Sequence, residues 1–224
     1  MALIIPEVQL CTIIDALLKH IKLDFEAKVV TPEKSLLYNY FNGIVDHKKD
    51  YYKEAVDLFT READHPRLIE TRLAFDAERA KIPTIHITMP SDQTGQNSLG
   101  IGESGMADYV NYIDGEVSVE YERRFDTQYQ IVCTSDQHSE VMLMYHLVRA
   151  GLISILDTFS LTGLEDPKLS GQELKINPDL MPSHIFMRAI GVSFSYEIKV
   201  SRWWNEDIIN DLCLDQNQIY DNEQ

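Results

Sequence analysis

The chain has 224 residues, 36 acidic against 20 basic, and a formal net charge of −16. That length buries a sizeable core in one domain without disulfide staples, and the acid excess argues against a protein that grips nucleic acid through its phosphates. Cys11, Cys133 and Cys213 are far apart, odd in number and form no Cys-x-x-Cys pair, which fits a reducing cytosol with Cys133 as a core residue.

The N-terminal Met-Ala-Leu-Ile-Ile-Pro-Glu has no basic region, uninterrupted apolar stretch or cleavage site, so secretory export is not expected. From Pro6 to Phe25, Leu10, Ile13, Ile14, Leu17, Leu18 and Ile21 recur at helical spacing and predict an amphipathic helix beside a central one. Residues 31–80 read as a helical insertion: Thr31-Pro-Glu-Lys resembles a helix start, and charges alternate with Tyr38, Tyr40, Phe41, Tyr51, Tyr52 and Phe59. Ile82 to Pro90 reads as a strand with Ile85, Ile87 and Met89 on one side, and its bracketing prolines, Pro83 and Pro90, favour a sheet edge.

Residues 91–118 are rich in Gly, Ser, Asn, Gln and Asp and read as a long polar loop or the tip of an extended hairpin, weakly helical from Met106 to Asp114. Val119 to Cys133 is a strand, with Tyr121, Phe125, Tyr129, Ile131 and Cys133 on one face and Glu120, Glu122, Arg124, Asp126, Gln128 and Gln130 on the other. Ser139 to Phe159 is a long apolar helix, with Ser135 and Asp136 as N-cap candidates and Gly163 and Pro167 as stop signals. His146, Arg149, Ser154 and Asp157 interrupt its apolar run, so it reads as a core helix rather than a membrane span.

Leu164 to Ser183, punctuated by prolines and Gly171, reads as a loop. The closing strand alternates Ile190, Val192, Phe194, Tyr196, Ile198 and Val200 against Gly191, Ser193, Ser195, Glu197 and Lys199. Residues 201–224 form an acidic tail that begins near Trp203 and Trp204. The expected fold is therefore a single α+β domain. Its antiparallel or mixed sheet has one face covered by the long apolar helix and the N-terminal helix, and the other face wet.

Few motifs suggest chemistry. Gly100, Gly102 and Gly105 match Gly-x-Gly-x-x-Gly, but the segment does not follow a strand that leads straight into a helix, as a dinucleotide site requires. Glu62-Ala-Asp-His65 matches one Glu-x-x-His pair; a di-iron site needs two pairs and two further glutamates, and Pro66 disfavours helix at His65. A solvated charged segment is the expectation there, and His146 is expected to be a core histidine. The sequence has no Gly-x-Ser-x-Gly elbow and no phosphate-binding Gly-x-x-x-x-Gly-Lys loop. No catalytic residue, metal or cofactor is assigned. Interface candidates are Arg123 and Arg124, which as strand neighbours face opposite ways, Trp203 and Trp204, and the loop glycines Gly100, Gly102 and Gly105.

The order helix, strand, long polar loop, strand, long apolar helix, strand resembles the tail terminator proteins of long-tailed bacteriophages. The segments that carry the likeness are Ile4 to Phe25 and Ile82 to Val200, most clearly Tyr121 to Cys133, Glu140 to Phe159 and Arg188 to Lys199. The 31–80 segment departs from the compact family pattern. The resemblance implies a non-enzymatic virion subunit, assembled in the host cytoplasm, that forms a hexameric ring on the head-proximal end of the tail tube. Its partners would be further copies of itself, the tube protein and a neck connector. Genomic DNA would pass without specific binding, and no membrane is implied. The alternatives are another neck connector, a tube subunit, and an intracellular nucleotide-binding enzyme that uses the glycine loop.

Overall fold

The computed structural model of the chain describes residues 5–46, 49–73, 82–94, 109–113, 116–173 and 185–201. The fold is α+β with a mixed sheet. Two compact units divide the described residues: a larger one of 5–92 and 127–194, and a smaller one of 93–126 and 195–201.

The larger unit begins with α1, Pro6–Ala27, whose Leu10, Ile14 and Ile21 are buried. A 3-10 turn, Pro32–Lys34, leads to α2, Leu36–Phe41, where Ser35 Oγ accepts the Tyr38 N–H. Two short antiparallel strands, β1 (Val45–Asp46) and β2 (Lys49–Asp50), precede α3, Tyr51–Phe59. Asp50 caps α3 by accepting from the Tyr52 and Lys53 amides. Among the described residues of the 31–80 stretch, helix ends at Phe59, and residues 74–80 of the expected insertion lie outside the described residues. Glu70–Leu73 forms a strand, β3, parallel to β4 (Thr84–Thr94) in the register Glu70↔Thr84 to Leu73↔Ile87.

This placement overturns the edge expectation for the Ile82–Pro90 strand. β4 lies between β3 and β6 (Glu116–Ser135) in the order β3-β4-β6-β8-β7. Pro83 precedes β4, and its carbonyl accepts the Glu70 amide (3.4 Å), so its missing N–H costs the ladder nothing. Pro90 lies past Ile87, where the β3 register ends.

The core helix α4 is His138–Ile155; a 3-10 segment, Leu156–Thr162, continues it to Gly163, which adopts the left-handed conformation (φ 82°) that glycine tolerates best. Neither Ser135 nor Asp136 is the N-cap. Gln137 holds that position without a side-chain cap bond, because the two expected residues are engaged elsewhere, as described below. The run His138–Thr162 is long and apolar enough to cross a membrane by length and composition. In this fold Val141, Leu143, Met144, Leu147, Val148 and Leu152 are buried, while His146, Ser154 and Asp157 are exposed and Arg149 is half-buried.

The expected loop at Leu164 is instead an edge strand, β7 (Glu165–Glu173), beside β8 (Phe186–Ser201). Pro167 is tolerated because an edge strand has one side without ladder bonds. α4 lies against these strands: His138 meets the Phe186 ring edge-on (5.4 Å), and Arg188 lies over the Tyr145 ring (5.8 Å). Tyr129 stacks on Phe194 at 5.4 Å, a cross-strand aromatic pair.

The wet face of the sheet fails at its centre. Val132, Thr134, Ala189 and Gly191 are buried together with the expected Ile131, Cys133, Ile190 and Val192. The signal was present in Ile131-Val-Cys-Thr134, a near-continuous apolar run of the kind found in strands covered on both faces. Thr134 satisfies its hydroxyl by donating to the Thr84 carbonyl (3.0 Å).

In the smaller unit, β5 (Tyr109–Ile113) pairs antiparallel with β6 from Tyr109↔Glu120 to Ile113↔Glu116. Strand therefore replaces the weak helix expected at Met106–Asp114, over the residues described. The β5–β6 pairing fits the hairpin alternative for residues 91–118, and the Asp114-Gly115 dipeptide between the two strands in the sequence is a strong two-residue hairpin signal.

Candidate functional site

The most elaborate polar construction among the described residues stands at the start of α4. Glu140 occupies the first turn of α4, and its side chain is only 6 % exposed. Its Oε1 accepts from Arg61 (2.9 Å), and its Oε2 accepts from Arg67 (2.6 Å) and from Ser135 Oγ (2.5 Å). Arg67 also forks onto Asp136 at 2.7 and 3.2 Å, and Arg61 donates to the Arg67 carbonyl (2.7 Å) and to Asp57 (3.1 Å). The bond from Arg67 is the main reason the Asp136 carboxyl is held below its ordinary range, and Asp136 in turn holds the Arg67 guanidinium above its own.

This cluster explains the displaced cap. Asp136 serves Arg67, Ser135 Oγ accepts the Gln137 amide (3.2 Å), and Glu140 stabilises the positive end of the helix from its third position. Its two carboxylates are saturated by guanidiniums. The Arg61 and Arg67 Nε–H groups are buried without a hydrogen-bond partner among the described residues, and the remaining contacts make the cluster a clasp joining the segment after α3 to α4. Cys133, behind it in the sheet, is fully buried, and burial pushes its thiol up to about 12, which removes it as a nucleophile at neutral pH.

Sequence reasoning missed Arg61, Arg67 and Glu140. It treated Glu62–His65 as a solvated stretch, and all four residues are exposed, with Glu62 paired with Lys22 (3.3 Å). His65 accepts the Arg67 amide through Nδ1 (3.1 Å) in a turn, not on a helix. The two arginines flanking this stretch turn inward. A glutamate three residues after a cap position was the available signal.

The second feature is an apolar groove of about 380 Å³ beside the middle of α4. Its walls are Tyr40, Phe41 and Ile44 from α2 and the loop after it, Tyr51 from α3, and Met142, Leu143, His146, Leu147 and Ala150 from α4. His146 is thus an exposed groove residue, not the expected core histidine. Its imidazole meets the Tyr145 ring edge-on (5.1 Å), and partial burial, followed by the charges of Arg188 and Arg149, lowers its pKa. Arg149 lies over the same Tyr145 ring at 6.0 Å and donates to its hydroxyl at 3.3 Å.

Of the interface candidates, only Arg124 has a described side chain. It is half-buried, with Nε 3.9 Å from Asp126 Oδ1. Asp126 accepts from Ser195 Oγ at 2.6 Å, and Phe125 stacks on Tyr196 at 5.8 Å. Arg123, Trp203, Trp204, Gly100, Gly102 and Gly105 lie outside the described side chains. No group of three or more His, Cys, Asp or Glu side chains placed to hold a metal ion occurs among the described residues. No protein-family model and no curated protein matches the chain.

Proposed function

We propose that this chain is a structural subunit of the tail and neck of a long-tailed bacteriophage, most specifically a tail terminator. Six copies form a ring on the head-proximal end of the tail tube, stop its growth and present a docking face to the neck connector. In this reading the subunit performs no catalysis, and genomic DNA passes an acidic lumen that repels it and so does not retain it.

The observation that carries the proposal is β6. At 20 residues it is about twice the upper end of the common strand length. Its residues 127–135 belong to the larger unit, and its residues 116–126 belong to the smaller one, where 116–120 pair with β5. An extended hairpin buries little of its own surface and is stabilised by a neighbour, which a closed ring supplies. The α+β class and the long helix between two long strands agree with the family resemblance.

Electron microscopy of tails from a phage with a disrupted copy of this gene tests the proposal. Tubes that overrun normal length, or finished tails that fail to join heads, are expected. Normal tails joined to DNA-filled heads would overturn it.

A further inference from the structure

The reversal after α2 is a type II turn. Asn42, its second residue, has φ −64° and ψ 136°, and Gly43, its third, has φ 78°. The Ile44 amide closes the turn by donating to the Phe41 carbonyl (3.3 Å). Asn42 and Gly43 are both exposed, and a Cβ built on Gly43 would meet nothing within 4 Å. Neither the Asn42 side chain nor the Gly43 N–H has a hydrogen-bond partner among the described residues. Asn42 is also the only asparagine of the chain that is followed by glycine.

Asparagine is a thermolabile residue, because the nitrogen of the next residue can attack its side-chain carbonyl and close a five-membered ring. A side chain on that next residue hinders the approach, and Gly43 has none. Closure requires rotation about Asn42 ψ away from 136°. In this turn the rotation breaks the Ile44-to-Phe41 bond, whose 3.3 Å lies just beyond the usual N–H···O range of about 2.7–3.2 Å. The Asn42 amide, bonded to the Tyr38 carbonyl (2.9 Å), precedes the rotating bond and keeps its place. Gly43 takes up the displacement in its own dihedrals, so the Ile44 carbonyl stays bonded to the Tyr51 amide (3.1 Å).

We propose that Asn42 is a site of spontaneous deamidation to isoaspartate and aspartate in the folded protein. The Gly43 nitrogen bonds to Asn42 Cγ, the Cγ–Nδ2 bond breaks, and the side-chain nitrogen leaves as ammonia with the proton that the Gly43 nitrogen gives up. Water then opens the succinimide: its hydroxyl adds to one ring carbonyl, and its proton returns to the Gly43 nitrogen. Opening at Cγ gives aspartate. Opening at the main-chain carbonyl gives isoaspartate, in which the chain runs through Cβ and Cγ and the former main-chain carbonyl carbon becomes the carboxylate. Either product adds one negative charge at neutral pH. Isoaspartate also lengthens the backbone by one carbon between Phe41 and Ile44, two walls of the α4 groove.

Incubation of the folded full chain in heavy-oxygen water at mildly alkaline pH tests this. Trypsin cuts after Lys34 and Lys48 and releases residues 35–48, which carry Asn39 as well as Asn42. Asn39 is followed by tyrosine and serves as the internal control. A mildly acidic digest and an unincubated sample exclude conversion during handling, and electron-transfer fragmentation locates the product and separates its isomers. One heavy oxygen at residue 42, both isomers, and conversion at least tenfold faster than at Asn39 are expected. Asn42→Gln, whose ring would need a sixth member, should convert at least tenfold more slowly. Conversion no faster than at Asn39, aspartate as the sole product, an undiminished rate in Asn42→Gln, or conversion only in a urea-unfolded sample would each overturn the proposal.

Discussion

The two ends of α4 are held by opposite means. At its N-terminus, Glu140 is clasped by Arg61, Arg67 and Ser135 in a nearly closed polar cluster. Toward its C-terminus, Gly151 lets the Leu17 side chain of α1 come so close that a Cβ on residue 151 would stand 2.3 Å from one Leu17 methyl. The first contact is made by charge and fails when one partner is removed. The second is made by shape and fails when an atom is added. One helix therefore shows what each kind of contact specifies: the clasp fixes which segment meets the helix start, and the glycine fixes how closely α1 approaches.

Removing the hub of the clasp should have the largest effect. Glu140→Ala leaves the Arg61 guanidinium, 9 % exposed, and the partly buried Arg67 without their shared carboxylate, and a buried pair broken on one side costs about 3–5 kcal/mol. Urea unfolding should show a large drop in midpoint. Replacing the hub and one arginine together, as in Glu140→Leu/Arg61→Leu, should recover part of the loss, since no inner charge is then left facing an absent partner. A loss below about 1 kcal/mol in the single variant would mean that water already carries these charges.

At the other end, Gly151→Ala sets two tendencies against each other. Alanine gains roughly 1 kcal/mol in helix propensity, whereas overpacking costs about 1–3 kcal/mol. Here the clash decides, because the Leu17 Cγ branch point as well as its methyls lies within 3.0 Å of the added atom, so rotating a methyl does not clear it. A net loss of about 1–2 kcal/mol is expected. Leu17→Ala introduced into that variant should cost less than it does alone, the non-additivity that contacting residues show. Stabilisation by Gly151→Ala would show that α1 yields freely and that its approach is not set by shape.

A smaller version of the same argument applies where α4 meets the edge strand. A Cβ at Gly171 would stand 2.0 Å from the Tyr145 hydroxyl, so Gly171→Ala should destabilise by about 1 kcal/mol. Tyr145→Phe should relieve the clash although it forfeits the bond from Arg149, so the double variant should be no worse than Gly171→Ala alone, as thermal melting can check.

The comparison also marks what the sequence made legible. α1, α4, β6 and β8 were readable because each repeats one period over many residues, so Leu10, Ile14 and Ile21 or Ile190, Val192 and Phe194 reinforce one another. β7 was not, because an edge strand with Pro167 and Gly171 obeys ladder geometry on one side only and so resembles a loop. β3 was hidden by its length, four residues recruited by pairing with β4 rather than by any pattern of their own. The clasp was illegible for a different reason. Arg61 and Arg67 look like any solvated arginines until the segment after α3 is folded back onto Glu140, a contact some 80 positions away in the chain that no local spacing encodes. The groove follows the same rule, since Tyr40 and Tyr51 become its walls only when α2 and α3 lie beside α4.

The finest test of the polar end is acid. Asp136 has its carboxyl lowered by Arg67 in the folded protein, whereas in the unfolded chain an aspartate titrates near pKa 3.9. The folded state therefore holds fewer protons than the unfolded state in the window below about pH 4. This group's contribution is complete above that window and is lost as pH falls through the folded value. Asp136→Asn should lower stability slightly at pH 7, and the difference from the wild type should shrink as pH falls below about 4, so the two curves of stability against pH converge on acidification. The effect is small because the Asp136 side chain is 38 % exposed and solvent screens its pair. His146 does not confuse the comparison. Its lowered pKa also makes stability fall with acidification, beginning near pH 6.5, but equally in both proteins. Curves that stay parallel down to pH 2 would mean that Asp136 contributes through its neutral hydrogen bonds alone, and would leave Glu140 as the clasp's sole ionic hub.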